Sequence, residues 1–164
     1  MDVRAKRVQA YLSRHGLVPQ NFTSPTPTSA TAAAAVGCGV GAIAKSILLL
    51  VGNQPVIVIT SGDTKVKSGR LKKAAGLSGK VTFPNAAEVK QYTGYAPGGV
   101  CPFLLPEDLP VFLDRSLLRF ELIYPAAATD SSAVALTFSQ LMKLSDGKIV
   151  DVCDIQQASE IRKE

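Results

Sequence analysis

Lys45 is the one cation in the apolar segment 42–51, with Ala42, Ile43 and Ala44 before it and Ile47 to Val51 after Ser46. A lysine so placed either snorkels to water or faces a polar cavity, where its ammonium is a compact point charge for an anion. A second candidate is the run Gly94-Tyr95-Ala96-Pro97-Gly98-Gly99-Val100-Cys101-Pro102-Phe103. Glycines let backbone N–H groups approach a ligand closely, and prolines stiffen the loop that carries them. Such amides can receive an oxygen that becomes anionic during acyl transfer. On pattern alone the same run also suits a structural turn.

Other chemistries fit poorly. His15 is the sole histidine, stands at a helix end and has no marked partner for a nucleophilic triad; a helix-terminal cation is the plainer reading. Cys38, Cys101 and Cys153 are odd in number and widely spaced, against a disulfide framework and a zinc site alike. Cys38 and Cys153 read as small buried residues, whereas Cys101, inside the Gly/Pro loop, is a candidate to line a site. Gly37-x3-Gly41-x3-Lys45-Ser46 is not a P-loop: Ala44 precedes the lysine, and the strong strand follows the glycines instead of preceding them. No Gly-x-Gly-x-x-Gly with a downstream acid marks a dinucleotide site.

The net charge is +5, and its distribution is uneven. Lys65, Lys67, Arg70, Lys72, Lys73 and Lys80 form a run with no intervening acid. It is either a solvated helix face or a surface for phosphates. No stretch nears the roughly 18 apolar residues of a membrane span. The N-terminal segment carries charges throughout and lacks a secretory apolar core. The expectation is a cytoplasmic protein without a membrane partner.

The elements that must position these residues follow from periodicity. Val8, Tyr11 and Leu12 give a first helix ended by Gly16, and Thr28 or Ser29 caps an alanine-rich helix to Val36. A short helical turn is expected through Ile43 and Lys45. Ile47–Val51 and Val56–Thr60 read as buried strands around a turn at Gly52-Asn53-Gln54. Helices are expected over Ser68–Ala75, from Asn85 to about Tyr92, and from Thr137 to about Leu144, the last two opened by capping boxes. The Gly/Pro-rich loop Tyr95–Pro110 lies between them, long enough to suggest a function. Val111–Leu113, Phe120–Tyr124, Ala133–Thr137 and Ile149–Val152 complete the strands. Without a regular βαβ period, this is α+β: a single domain over residues 1–164 with a mixed, strongly curved sheet flanked by short helices.

The chain resembles the YbaK/prolyl-tRNA-synthetase-associated-domain family of free-standing trans-editing deacylases. The likeness runs from about residue 3 to residue 153. It rests on Thr31-Ala32-Ala33-Ala34-Ala35-x-Gly37, Ile43-x-Lys45-Ser46-Ile47-Leu48, Val58-Ile59-x-Ser61-Gly62-Asp63, Leu71-Lys72, Thr93-Gly94-Tyr95-x-Pro97-Gly98-Gly99-Val100-x-Pro102-Phe103 and Leu113-Asp114-x-Ser116-Leu117. The resemblance implies a barrel-like sheet around a small pocket. It also implies hydrolysis of the ester joining a mis-attached amino acid to tRNA, often tRNA for proline, with no metal or cofactor; Val100, Phe103 and Ala127, apolar or small around the loop, lead to the expectation that the amino acid is small. The family's lysine matches Lys45, and its Gly-x-x-x-Pro loop matches Gly98 to Pro102, with Gly99 inside it. Ser46, Val100, Cys101, Phe103 and Ala127 are then the candidates to bind substrate. The six basic residues of 65–80 are the candidates to bind tRNA, and an aminoacyl-tRNA synthetase is a possible partner. The alternative is a catalytically silent tRNA- or synthetase-binding module. Two departures stand out: Leu104, and Ala128 before Thr129 with Asp130 after it, where relatives often carry glycine, and glycine and proline, respectively.

Overall fold

The computed structural model describes residues 2–157. Asp2 caps α1 (Val3–Arg14), its carboxylate accepting from the Ala5 N–H at 2.7 Å. Ala5, Val8 and Leu12 share its buried face. A short strand, β1 (Gln20–Asn21), precedes the loop to Thr28. Thr28 and Thr31 exchange backbone-to-side-chain bonds in a capping box that opens α2 (Ser29–Val36).

The helical turn expected through Ile43 and Lys45 falls earlier, at Val40–Ala42. Lys45 stands instead on the long strand β2 (Ile43–Val51). Pairing explains the difference: every residue from Ala44 to Val51 has a partner in β3 (Gln54–Ser61), and this continuous ladder outweighs a local turn. Gly52 (φ 54°) and Asn53 (φ 71°) make the two-residue connection, with the positive angles that match hairpin twist.

The chain continues through β4 (Thr64–Val66), α3 (Ser68–Ala75), β5 (Val81–Thr82) and α4 (Ala86–Thr93). The Gly/Pro loop contains a 3-10 turn at Pro97–Gly99 and leads to β6 (Val111–Asp114). A strand at Phe120–Tyr124 is not found. The Asp114 carboxylate accepts from the Ser116 N–H at 3.0 Å and starts a 3-10 turn over Arg115–Arg119, leaving only β7 (Tyr124–Pro125). The expected strand Ala133–Thr137 shrinks to β8 (Ser132–Ala133) and a bridge between Ile123 and Leu136. After α5 (Phe138–Ser145) come β9 (Lys148–Val150), which stops short of the expected Val152, and β10 (Cys153–Ile155).

The main sheet runs β5-β2-β3-β6-β9, with β7 beside the start of β2. The β2–β3 and β2–β5 pairs are antiparallel; β3–β6, β6–β9 and β2–β7 are parallel. The domain is thus mixed α+β. The barrel-like closure is not found: among the described residues no ladder joins β9 to β5 or β7. Closure needs a continuous hydrogen-bonded circuit. Here β1–β8 and β4–β10 pair off as separate ribbons instead. Both faces of the β2–β3 hairpin are covered, which is why its strands read as unbroken apolar runs. Leu48, Ile57 and Ile59 pack with Leu12, Phe103 and Leu117; Leu49, Val56 and Val58 pack with Leu71, Phe112 and Val152. No described helix is long and apolar enough to cross a membrane.

Candidate active site

A cleft of about 330 Å³ opens where the start of β2, the Pro97–Gly99 turn and the N-terminus of α2 meet. Lys45, Ser46, Gly98 and Val100, separated by half the chain, all line it. One wall is the loop before α2, stitched to the segment after β7. The Phe22 N–H donates to the Ser131 carbonyl at 2.7 Å, and the Thr26 N–H donates to the Asp130 carbonyl at 2.8 Å. Thr26, Thr28 and Asp130 therefore belong to the cleft. Sequence reasoning did not select Thr26 and Thr28, where the Pro/Ser/Thr composition of residues 21–30 marks only a loop, whereas Asp130 stands at a departure from the family pattern that could line the pocket, and it does. Nothing local indicated that the two segments meet.

The two glycines of the turn have a packing reason. A Cβ on Gly99 would stand 2.6 Å from the Ala128 carbonyl oxygen, and one on Gly98 would stand 2.9 Å from the Asp130 Cβ. Only glycine allows this approach between the loop and the 128–130 turn. The Gly99 N–H is already engaged, donating to the Ala96 carbonyl at 2.8 Å. Gly98 and Val100 line the cleft, and the Gly98 amide donates to no acceptor among the described residues, whereas the 3-10 turn engages the Val100 amide. Leu104 and Ala128 sit at φ 52° and 73°. The backbone there keeps a left-handed shape that glycine adopts freely, at a cost of roughly 1–2 kcal/mol per non-glycine residue.

Lys45 is exposed and makes no ion pair among the described residues. It and Asp130 are the two charged residues of the cleft lining. The Ser46 hydroxyl oxygen is buried and has no hydrogen-bond partner. A buried hydroxyl left so costs about 1–3 kcal/mol, which a polar group in the cleft can recover.

Other selected residues lie behind the cleft. Cys101, Phe103 and Ala127 are wholly buried in the core cluster that includes Leu12 and Leu117. Burial pushes the Cys101 thiol up to about 11, so it is neutral near pH 7. The Tyr95 hydroxyl donates to the Phe103 carbonyl and holds the end of the loop from inside. Pro102 is also buried and borders a different hollow, beside Tyr11 and Leu104.

The basic run divides. Pairing of β4 with β10 brings acids from the far end of the chain: Lys67 meets Asp154 at 3.6 Å, and Arg70 meets Asp154 at 2.5 Å and Asp151 at 3.5 Å. Lys65, Lys72, Lys73 and Lys80 make no ion pair among the described residues. Two other landmarks are structural. The Asp63 carboxylate binds Arg119 through two bonds of 2.6 and 3.1 Å. Buried Asp114 accepts from the Ser116 and Val152 amides.

Comparison with known proteins agrees with this architecture. The family model of the aminoacyl-tRNA editing domain matches residues 23–144. YwhH of Bacillus subtilis, an uncharacterized protein, is 38% identical over 113 residues, covering 68% of this chain and 71% of YwhH. EbsC of Enterococcus faecalis, a candidate Cys-tRNA(Pro)/Cys-tRNA(Cys) deacylase, is 25% identical over 114 residues, 68% of each chain. A crystal structure of a candidate trans-editing enzyme for prolyl tRNA synthetase superposes with a TM-score of 0.83 at 29% identity, covering 94% of this chain and 99% of that one. The matched span takes in the whole cleft, from the loop before α2 to the 128–133 wall, and the chain belongs to the aminoacyl-tRNA editing domain family.

Proposed function

We propose that residues 1–164 act as a single aminoacyl-tRNA deacylase domain that hydrolyses the ester of a mis-attached small amino acid, with tRNA for proline as the leading substrate. The observation that carries this reading is the convergence, in one cleft, of the unengaged Gly98 amide with the unpartnered Ser46 hydroxyl and the Lys45 ammonium. An aminoacyl ester is already activated, so attack by water needs mainly stabilisation of the carbonyl oxygen as it becomes anionic. The Gly98 amide is the donor for that oxygen. Ser46 hydrogen-bonds the ester or the ribose. Lys45, exposed on the rim, anchors the polyanionic end and adds positive potential. Water adds to the carbonyl carbon, the C–O bond to ribose breaks, and the ribose oxygen leaves with a proton. The step calls for no metal and no organic cofactor.

Val100, Ala126, Ala32 and Ala133 give the cleft small and apolar walls, which suits alanine, cysteine, serine or threonine. Pockets of this kind separate substrates differing by one methylene by only about 10- to 200-fold, so some promiscuity is expected. The proline assignment draws on the prolyl and Cys-tRNA(Pro) descriptions of the relatives. Charged tRNA is met in the cytoplasm, with a synthetase as a natural partner. A second reading, silent binding of charged tRNA, has one observation in its favour: the Gly99 amide is consumed within its own turn. The discriminating experiment is deacylation of a panel of charged tRNAs. Turnover of small-residue esters on tRNA for proline supports the proposal. Tight binding without turnover of any member selects the silent module.

A further inference from the structure

On the other side of Lys45 lies a groove of about 460 Å³ that the reaction does not use. Its floor is apolar, with Ile47, Leu49 and Val81, and Lys45 and Lys65 stand along it. Phe83 borders it and is 80% exposed, with Val18 among the most exposed large apolar side chains of the described chain. The amide oxygen of Gln156 is buried against the groove and has no hydrogen-bond partner. Strand β7 pairs with residues 43–44 of β2, and β5 pairs with residues 50–51; between them the outer edge of β2 carries no partner strand among the described residues. Cleft and groove therefore adjoin, and Lys45 lines both.

We infer that this groove binds the unpaired 3′ nucleotides of an RNA, with a base stacked on Phe83 and phosphates on Lys45 and Lys65. The inference rests on the deacylase reading only for polarity: the terminal ester enters the cleft, so the preceding nucleotide occupies the groove. An exposed aromatic ring beside a basic track is the usual platform for single strands, because every base has a face to stack while its phosphates need cations. The Gln156 amide oxygen accepts from an exocyclic amine, which adenine and cytosine both carry. Lys45, at the junction, meets the phosphate between the last two nucleotides. This position explains why a lysine within an apolar strand reaches water without an ion-pair partner of its own.

The test is fluorescence anisotropy with a labelled single-stranded RNA hexamer ending in CCA. The parent protein binds it, Phe83→Ala weakens binding roughly 5- to 150-fold, and Phe83→Tyr, which keeps the ring, retains it. Gln156→Ala produces a smaller loss. A blunt-ended RNA duplex of equal charge binds at least about tenfold more weakly than the hexamer, since its bases are not free to stack. Equal affinity of the parent and Phe83→Ala for the hexamer, or a duplex bound as tightly as the single strand, overturns the inference; so does a parent protein that does not bind the hexamer. Deacylation is measured separately on charged tRNA. If it is absent while the hexamer results hold, the deacylase reading falls and the groove assignment stands.

Discussion

Replacing Lys45 by methionine keeps the aliphatic stem along β2 and removes only the charge. Lys45 is exposed and has no ion-pair partner among the described residues, so the folded state loses little: within about 0.5 kcal/mol, as for most surface changes. The effect on substrate is larger. An ammonium about 4 Å from an oxyanion or phosphate gains about 1 kcal/mol in water and about 4 kcal/mol at the effective dielectric of a protein surface. Lys45 sits on a rim between two hollows, and bound RNA displaces water from both sides. The upper half of that range therefore applies, a loss of roughly 70- to 900-fold in kcat/KM. The assay is single-turnover hydrolysis of charged tRNA, with urea unfolding on the same samples to verify stability. Activity within threefold of the parent, with stability unchanged, refutes the assignment of Lys45. A stability loss of several kcal/mol refutes the description of its surroundings.

Three further expectations follow from other parts of the structure. Ala128→Gly relieves a left-handed backbone and should raise stability by about 0.5–1 kcal/mol net of the extra freedom of the unfolded chain, about 2 °C in Tm; a lower Tm contradicts the strain at φ 73°. The folded Cys101 thiol titrates near 11, above its ordinary 9.0, so its contribution to stability is complete below pH 9 and is lost as pH rises toward 11. Urea unfolding from pH 8 to 11 should therefore show a shallower decline in Cys101→Ala than in the parent, and an equal decline rejects this. For tRNA, the four lysines of the 65–80 run without ion pairs should contribute a fall of about 3 to 4 in the logarithm of affinity per decade of salt, and the fall should be about 2 less in the Lys72→Glu, Lys73→Glu double variant. An unchanged slope removes these lysines from the footprint.

Much of this protein is written locally. Caps and their partners lie three residues apart, so Thr28, Asn85 and Thr137 announce their helices in the sequence itself. The Gly52-Asn53 turn and the apolar runs beside it specify the central hairpin for the same reason. The landmarks around Lys45 and Gly98-Gly99 were enough to recognise the family. Tertiary structure alone decided what depends on distant partners. The short strands β4, β7, β8 and β10 have little propensity of their own and exist because another segment supplies their hydrogen bonds. Tertiary contacts sent Cys101, Phe103 and Ala127 into the core and brought Thr26, Thr28 and Asp130 to the cleft. They also set Asp151 and Asp154 against Lys67 and Arg70, dividing a basic run that looks uniform in the sequence. Hydrophobic period and capping act over one turn of chain, whereas burial and charge pairing are settled by whichever residues the fold brings alongside, and these can lie more than a hundred positions away, as Phe22 and Ser131 do.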